Sequence, residues 1–368
     1  MDDGASKNVI LPAQLYDLPE EVILKLFGFL PIKELLICGQ VSKRLQAIAN
    51  DESLWIKLNL IFRKVPFELI EKAARNNCQY LSLAGCEIIH LTGRSESSFN
   101  VKYLNLSSRP PSMEAMVANK HLRLSKLVQN CRFLQNLSLA GLQLDSDDIN
   151  YISRNSQTLK ILDLQYCDFH PQIQTELIQD LFTNCVHLTE LNIRGPLWSK
   201  WFLDPQIQAL VDNLTPTILK VALGFQNNLK DEHVKTLVKR CNNITHLDLS
   251  CTSITNDSVQ SIIKYLETSL VKLNVDETNV DFAGLLQLKS MPALKALICF
   301  ISYDYDDPDP DDHNQDIENL KQQLPHIRIN EKEDLALGPS LHIAKPFKKV
   351  NESDADKDCN VCGNPNTQ

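Results

Sequence analysis

Glycine is scarce in this chain, 11 residues in 368. No Gly-rich phosphate-cradling loop is present, and neither H-E-x-x-H nor G-x-S-x-G occurs. Nor is there an apolar run of the roughly eighteen residues that a membrane span needs. Positive charge is not in surplus: 37 basic against 46 acidic side chains leave a net charge of −9. Affinity for phosphate backbones rests mainly on Lys and Arg density, which argues against a general nucleic-acid binder. Met1-Asp2-Asp3-Gly4 lacks the positive n-region and apolar core of a signal peptide. The expectation is a protein of the nucleus and cytoplasm, where eleven cysteines are thiols or metal ligands before they are disulfides. The nine histidines are scattered, and the reading is a non-catalytic chain with no cofactor.

What is abundant is leucine, 56 residues, and such a bias directs attention to internal repeats. Leu134-Gln-Asn-Leu137-Ser-Leu139 and Ile244-Thr-His-Leu247-Asp-Leu249 share the form L-x-x-L-x-L. Related copies centre on Leu81, Leu104, Leu162, Leu191, Val221, Leu273 and Leu297, and a last partial strand is expected at 326–329. Most steps between copies fall within the 20–29 residues of leucine-rich repeats. Alternating apolar residues fit a short strand with one buried face. Between copies, segments such as Asp231 to Arg240 carry Val234, Leu237 and Val238 on one helical stripe. One unit cannot bury that surface alone, so neighbours stack into a solenoid. Cys78, Cys131, Cys185 and Cys241 recur with the repeat, as small buried side chains would.

A different pattern precedes the repeats, from Leu18-Pro19-Glu20-Glu21 through Phe29-Leu30 to Asp51-Glu-Ser-Leu-Trp55. Asp17 is expected to cap a first helix, with Pro19 in its first turn and Pro31 ending it. A second helix runs through Lys33 to Cys38 and a third from about Ser42 to Ala49. Three short helices make a marginal core. Phe27, Phe29, Leu30, Leu35, Leu36 and Val41 cannot all be internal, and a partner's apolar groove is the natural destination of the excess.

These residues resemble an F-box, with Ser42 and Leu45 departing from positions where Cys and Trp are common. An F-box followed by leucine-rich repeats is similar to the F-box/leucine-rich-repeat (FBXL) substrate receptors of SCF (Skp–cullin–F-box) ubiquitin ligases, within them the S-phase kinase-associated branch. The resemblance runs from about residue 12 to about 346. It implies docking on the Skp adaptor, and through it on cullin and RING subunits, by Leu18, Pro19, Ile23, Phe27, Leu30, Leu35, Leu36, Val41 and Trp55. It also implies protein substrates, among them phosphorylated cell-cycle regulators such as cyclin-dependent kinase inhibitors, bound with the help of a small Cks accessory protein. The branch carries a long N-terminal extension; only about ten residues precede the F-box here, so functions seated in that extension are not carried over.

The expected organisation is α/β: a disordered N-terminus at 1–11, a three-helix F-box at 12–59, a linker helix at 60–77, repeats at 78–330 and a polar tail at 331–368. The resemblance implies that this tail folds back along the concave face near 341–346, and its end is expected to be disordered. Residues alternating with the buried leucines face the concave side of a solenoid, a frequent binding surface. There Asp163, Glu190, Asn192, Arg194, Lys220, His246, Asp248, Lys272, Asn274 and Phe300 are the candidate substrate contacts, with Trp198 and Trp201 from an adjoining loop. The acidic run at 302–312 does not follow an EF-hand loop, and Cys359 with Cys362 lacks the second pair a zinc site needs. The competing reading is a leucine-rich-repeat scaffold or inhibitor whose F-box-like helices merely cap the solenoid.

Overall fold

Eleven apolar residues, one per coil, stand in line across a parallel sheet: Leu58, Leu81, Leu104, Leu137, Leu162, Leu191, Val221, Leu247, Leu273, Leu297 and Ile329. The strands follow chain order without a crossover. The computed structural model describes residues 17–89, 99–108, 131–170, 173–195, 202–299 and 314–331. Each strand is only two or three residues long, enough to bury one central side chain and turn the flanking pair to the concave side, where in most coils the first is half-exposed and the second buried. Helices on the convex side, such as Thr175–Asn184, Asp231–Arg240 and Asn256–Leu266, close the core with their apolar stripes. Their N-termini are tied from coil to coil. Asp231 Oδ1 accepts from the N–H groups of Thr255 (2.9 Å) and Ser258 (3.1 Å), and Asn256 Nδ2 donates to Asp281 (2.8 Å). No helix among the described residues is long and apolar enough to cross a membrane.

The sheet starts one coil earlier than the leucine pattern indicates, at β1 (Lys57–Asn59), which pairs with Tyr80–Ser82. Trp55 explains why. In Trp55-Ile-Lys-Leu58-Asn-Leu60 it takes the place of the first leucine, and it is fully buried with its indole N–H donating to the Ala49 carbonyl at 2.8 Å. One residue thus closes the helical module and opens the solenoid. The helix expected across 60–77 occupies only Phe67–Arg75. The final strand is Arg328–Ile329.

The N-terminal module is four helices: α1 (Glu20–Phe27), α2 (Ile32–Val41), α3 (Lys43–Ala49) and the single turn α4 (Glu52–Trp55). Pro19, not Asp17, sits at the start of α1, with no side-chain cap. Ser42, where the F-box pattern often has Cys, caps α3 by accepting the Leu45 N–H at 3.2 Å, and Leu45 fills the core in place of Trp. Arg44 reaches back to the Leu18 carbonyl (2.8 Å) and so fixes how the chain enters α1.

Past most strands the backbone turns left-handed at one recurring position, as at Phe62, Gly85, Gly141, Tyr166, Phe225 and Cys251. The reward is a backbone bond to the next coil: the N–H groups of Phe62, Gly85 and Phe225 donate to Ala84, Ser107 and Ser250 at 2.7–2.9 Å. At the first two coils this position brings a side chain over its neighbour. A Cβ on Gly85 would come within 2.4 Å of the Phe62 ring. Gly85→Ala should therefore cost about 2–4 kcal/mol, from overpacking added to left-handed strain. A lowered urea midpoint that Phe62→Ala partly restores would bear this out, and an unchanged midpoint would refute it.

Candidate functional site

Two surfaces merit attention, the outer side of the helical module and the concave sheet. Helix α1 is apolar on two stripes. Ile23 and Phe27, one turn apart, are buried, while Val22 and Leu26, each a residue earlier, are exposed. Helix α2 repeats the arrangement: Leu35 is inside, whereas Ile37 (53% exposed) and Val41 (62%) point out. Phe29, between the helices, is 86% exposed. A module this small normally turns such side chains inward or replaces them with polar ones, so an outer apolar stripe marks a contact surface.

Of the nine residues expected to dock an adaptor, Ile23, Phe27, Leu35 and Trp55 belong to the core and act by holding the module together. Leu18, Leu30 and Leu36 are half-buried against that core, and Pro19 and Val41 are exposed. Val22, Leu26 and Ile37 escaped the sequence reading, and Phe29 was counted in the apolar excess but left out of the docking set. The signal lay in the helical phase, since two apolar pairs offset by one residue cannot share one face.

On the concave side, strand register sets Glu190, Lys220, His246 and Lys272 in one row. Lys220 pairs with Glu190 at 2.9 Å. Burial, aided by Lys220 and Lys272, pulls the His246 imidazole down to about 4, so it is neutral at physiological pH. Its Nδ1 lies 2.9 Å from Thr245 Oγ1. With a lysine on each side disfavouring an imidazolium, that contact does not make a base–nucleophile pair.

The second row holds Asp163, Asn192, Asp248 and Asn274, all buried. Each side-chain oxygen accepts the N–H two residues on, from Gln165, Arg194, Ser250 and Asp276, at 3.0–3.2 Å. These are turns that lead the chain out of each strand. In each of the four, one side-chain oxygen is thus committed to the backbone, while Asp163 Oδ2 accepts from Ser138 Oγ and Asp248 Oδ2 from Arg194. Arg194 differs. Its guanidinium stacks over Phe225 (4.6 Å), passes the coil that carries Ala222, and pairs with buried Asp248 at 3.1 Å. Trp198, Trp201 and Phe300 lie outside the described residues, as do the acidic run, residues 341–346 and Cys359 with Cys362.

Asp163 sits among these turns with no ion pair among the described residues. Burial raises its carboxyl to about 6, although Ser138 Oγ donates to it at 2.8 Å. A carboxyl raised in the folded state favours folding fully below its unfolded pKa near 4, and that contribution is lost as pH rises through about 6. Asn fits the same turn elsewhere in the row. Asp163→Asn should therefore stabilise the fold at pH 8 by about 1–3 kcal/mol, with the gain vanishing near pH 4. Chemical denaturation at the two pH values checks it, and a gain independent of pH would contradict it.

Asp204, Glu232 and His233 approach closely enough to suggest a metal site. Lys230 already occupies it, with Nζ 2.7 Å from Asp204. The Lys230 backbone N–H donates to His233 Nδ1, which leaves the proton on Nε2, the nitrogen facing Asp204. This arrangement is an ion pair. The repeat cysteines are equally inert: burial lifts the thiols of Cys78, Cys131 and Cys185 to about 12.

Sequence relatives agree with this architecture. A family model described as the SKP2 LRR domain matches residues 69–338, and an F-box-like model matches residues 15–61. The chain belongs to the SKP2-type F-box/leucine-rich-repeat family. Among relatives of this family member, F-box/LRR-repeat protein 12 of Mus musculus is 22% identical over 293 residues, covering 78% of this chain and 79% of its own length. The Homo sapiens counterpart is 22% identical over 295 residues, covering 77% and 78%. The F-box protein dre-1 of Caenorhabditis elegans is 47% identical over 51 residues, 13% of this chain but only 5% of dre-1. Among solved structures, a chain of the yeast Rad7 and Elc1 complex has a TM-score of 0.48 at 16% identity, covering 87% of this chain and 91% of that one.

Proposed function

We propose that this F-box/leucine-rich-repeat protein is the substrate-recognition subunit of an SCF ubiquitin ligase. Its F-box docks a Skp-type adaptor, and through it the cullin and RING subunits, while the solenoid holds a protein substrate. The observation that carries this reading is the outer apolar stripe of Val22, Leu26, Phe29, Ile37 and Val41. A module serving only as a cap would present a polar outer face. The subunit works without bond chemistry of its own. It raises the effective concentration of a substrate lysine beside the charged conjugating enzyme.

The finer reading follows the family resemblance. Substrates are phosphorylated cell-cycle regulators such as cyclin-dependent kinase inhibitors, a Cks protein assists their recognition, and the complex acts in nucleus and cytoplasm. Reconstituted ubiquitin transfer tests it. With adaptor, cullin, RING subunit and conjugating enzyme present, the chain should direct ubiquitin to a phosphorylated inhibitor, more so with Cks. A folded chain that assembles with the adaptor yet transfers nothing to that substrate would refute the substrate assignment and leave the docking assignment standing. Imaging of the tagged chain checks its location.

A further inference from the structure

Between the helical module and the first coil lies a cleft of about 480 Å³. This is within the range of small-molecule sites, which favour domain junctions. Its wall is apolar, formed by Phe27, Leu30, Leu35, Leu54 and Leu58. Its polar edge is one-sided: Lys57 and Arg63 line it, and no Asp or Glu does. In a chain of net charge −9, two cations without a lining carboxylate are a local reversal of sign. Arg63 makes no ion pair among the described residues. Lys57 extends over the Tyr80 ring, 5.3 Å away, and has no carboxylate partner there either.

Asn59 supplies an independent observation. It also lines the cleft and occupies the row in which Asn105, Asp163, Asn192, Asp248 and Asn274 each accept an N–H two residues on. In Asn59 that bond is missing, and the buried Oδ1 has no partner among the described residues. Among the Asp and Asn residues of that row, the departure from the turn pattern thus falls at the cleft. A carboxylate only accepts, so its partner here is the Nδ2–H2 group, which rotation of this amide brings to the place the unmet oxygen now holds.

We infer that this junction cleft binds a small amphipathic anion, its apolar body against the leucine wall and its acidic head between Lys57 and Arg63. The charge pattern selects against apolar amines and gives a neutral molecule of the same shape no electrostatic gain. This inference does not depend on the adaptor reading, because the cleft and its cations belong to the chain alone.

Titration calorimetry of the full chain with decanoate, beside decanol as the neutral match, tests it. The wild type should bind one decanoate saturably and more tightly than decanol. Lys57→Ala/Arg63→Ala should weaken decanoate at least ten-fold while leaving decanol unchanged. Both residues are at the surface or half-exposed, and an unaltered thermal melt would certify the fold. The single substitution Arg63→Gln should give an intermediate loss. Absence of saturable binding, or equal decanoate affinity in the double variant, would overturn the site.

Discussion

Phe29→Asp combined with Val41→Asp is expected to lower affinity for a Skp-type adaptor at least about 100-fold while leaving the unfolding midpoint within error of the wild type. The two side chains are 86% and 62% exposed, and substitutions at such positions seldom change stability by more than about 0.5 kcal/mol. In a complex their burial changes sign in importance. A fully desolvated aromatic anchor is worth about 2–4 kcal/mol to an interface, and a carboxylate placed there must shed its water without a partner. The contrast with the inner stripe is the diagnostic part. Ile23→Asp or Leu35→Asp would also abolish capture, but by unfolding the module. Isothermal titration with circular dichroism of the same samples separates the two, and an outer variant that binds normally would exclude this stripe as the docking face.

Arg194→Ala should destabilise the solenoid by about 3–5 kcal/mol at pH 8, the usual penalty for leaving a buried charge without its partner. Asp248 is fully enclosed, and burial already raises its carboxyl although Arg194 and Ser250 oppose the shift. Removing the guanidinium raises it further. The sign follows: the unpaired carboxyl takes up a proton as pH falls, so the loss should shrink towards pH 5. Asp248→Asn preserves the oxygen that accepts the Ser250 N–H and Oγ–H, and in the double variant most of the loss should disappear. Urea unfolding of the four proteins at both pH values forms the cycle. Equal, pH-independent losses for Arg194→Ala with and without Asp248→Asn would show that the pair contributes nothing.

The solenoid was legible in the chain because its period and its alternation report the same burial. Leu137, Leu191 and Leu247 each sit where a strand centre was expected. The first coil escaped because Trp55 stands in for a leucine, a substitution by volume that a search for letters passes over. The concave face was legible in direction but not in role. Asp163, Asn192, Asp248 and Asn274 alternate with buried leucines as recognition residues would, yet their spacing from the following N–H makes them turn formers. A short polar side chain directly after a buried leucine, recurring in successive coils, was the available signal. The helical module was read correctly as over-rich in apolar residues, but which of them face outward depends on a rotation of one residue, about 100°.

Photocrosslinking from defined positions tests the docking claim most directly. Benzoylphenylalanine would be placed at Phe29, at Ile37 and, as a control, at exposed Gln260 on a convex repeat helix, in the full chain mixed with purified Skp-type adaptor. Docking through the outer stripe predicts adducts with the adaptor from positions 29 and 37 and none from 260. Co-elution of chain and adaptor with no adduct from either F-box position would contradict it.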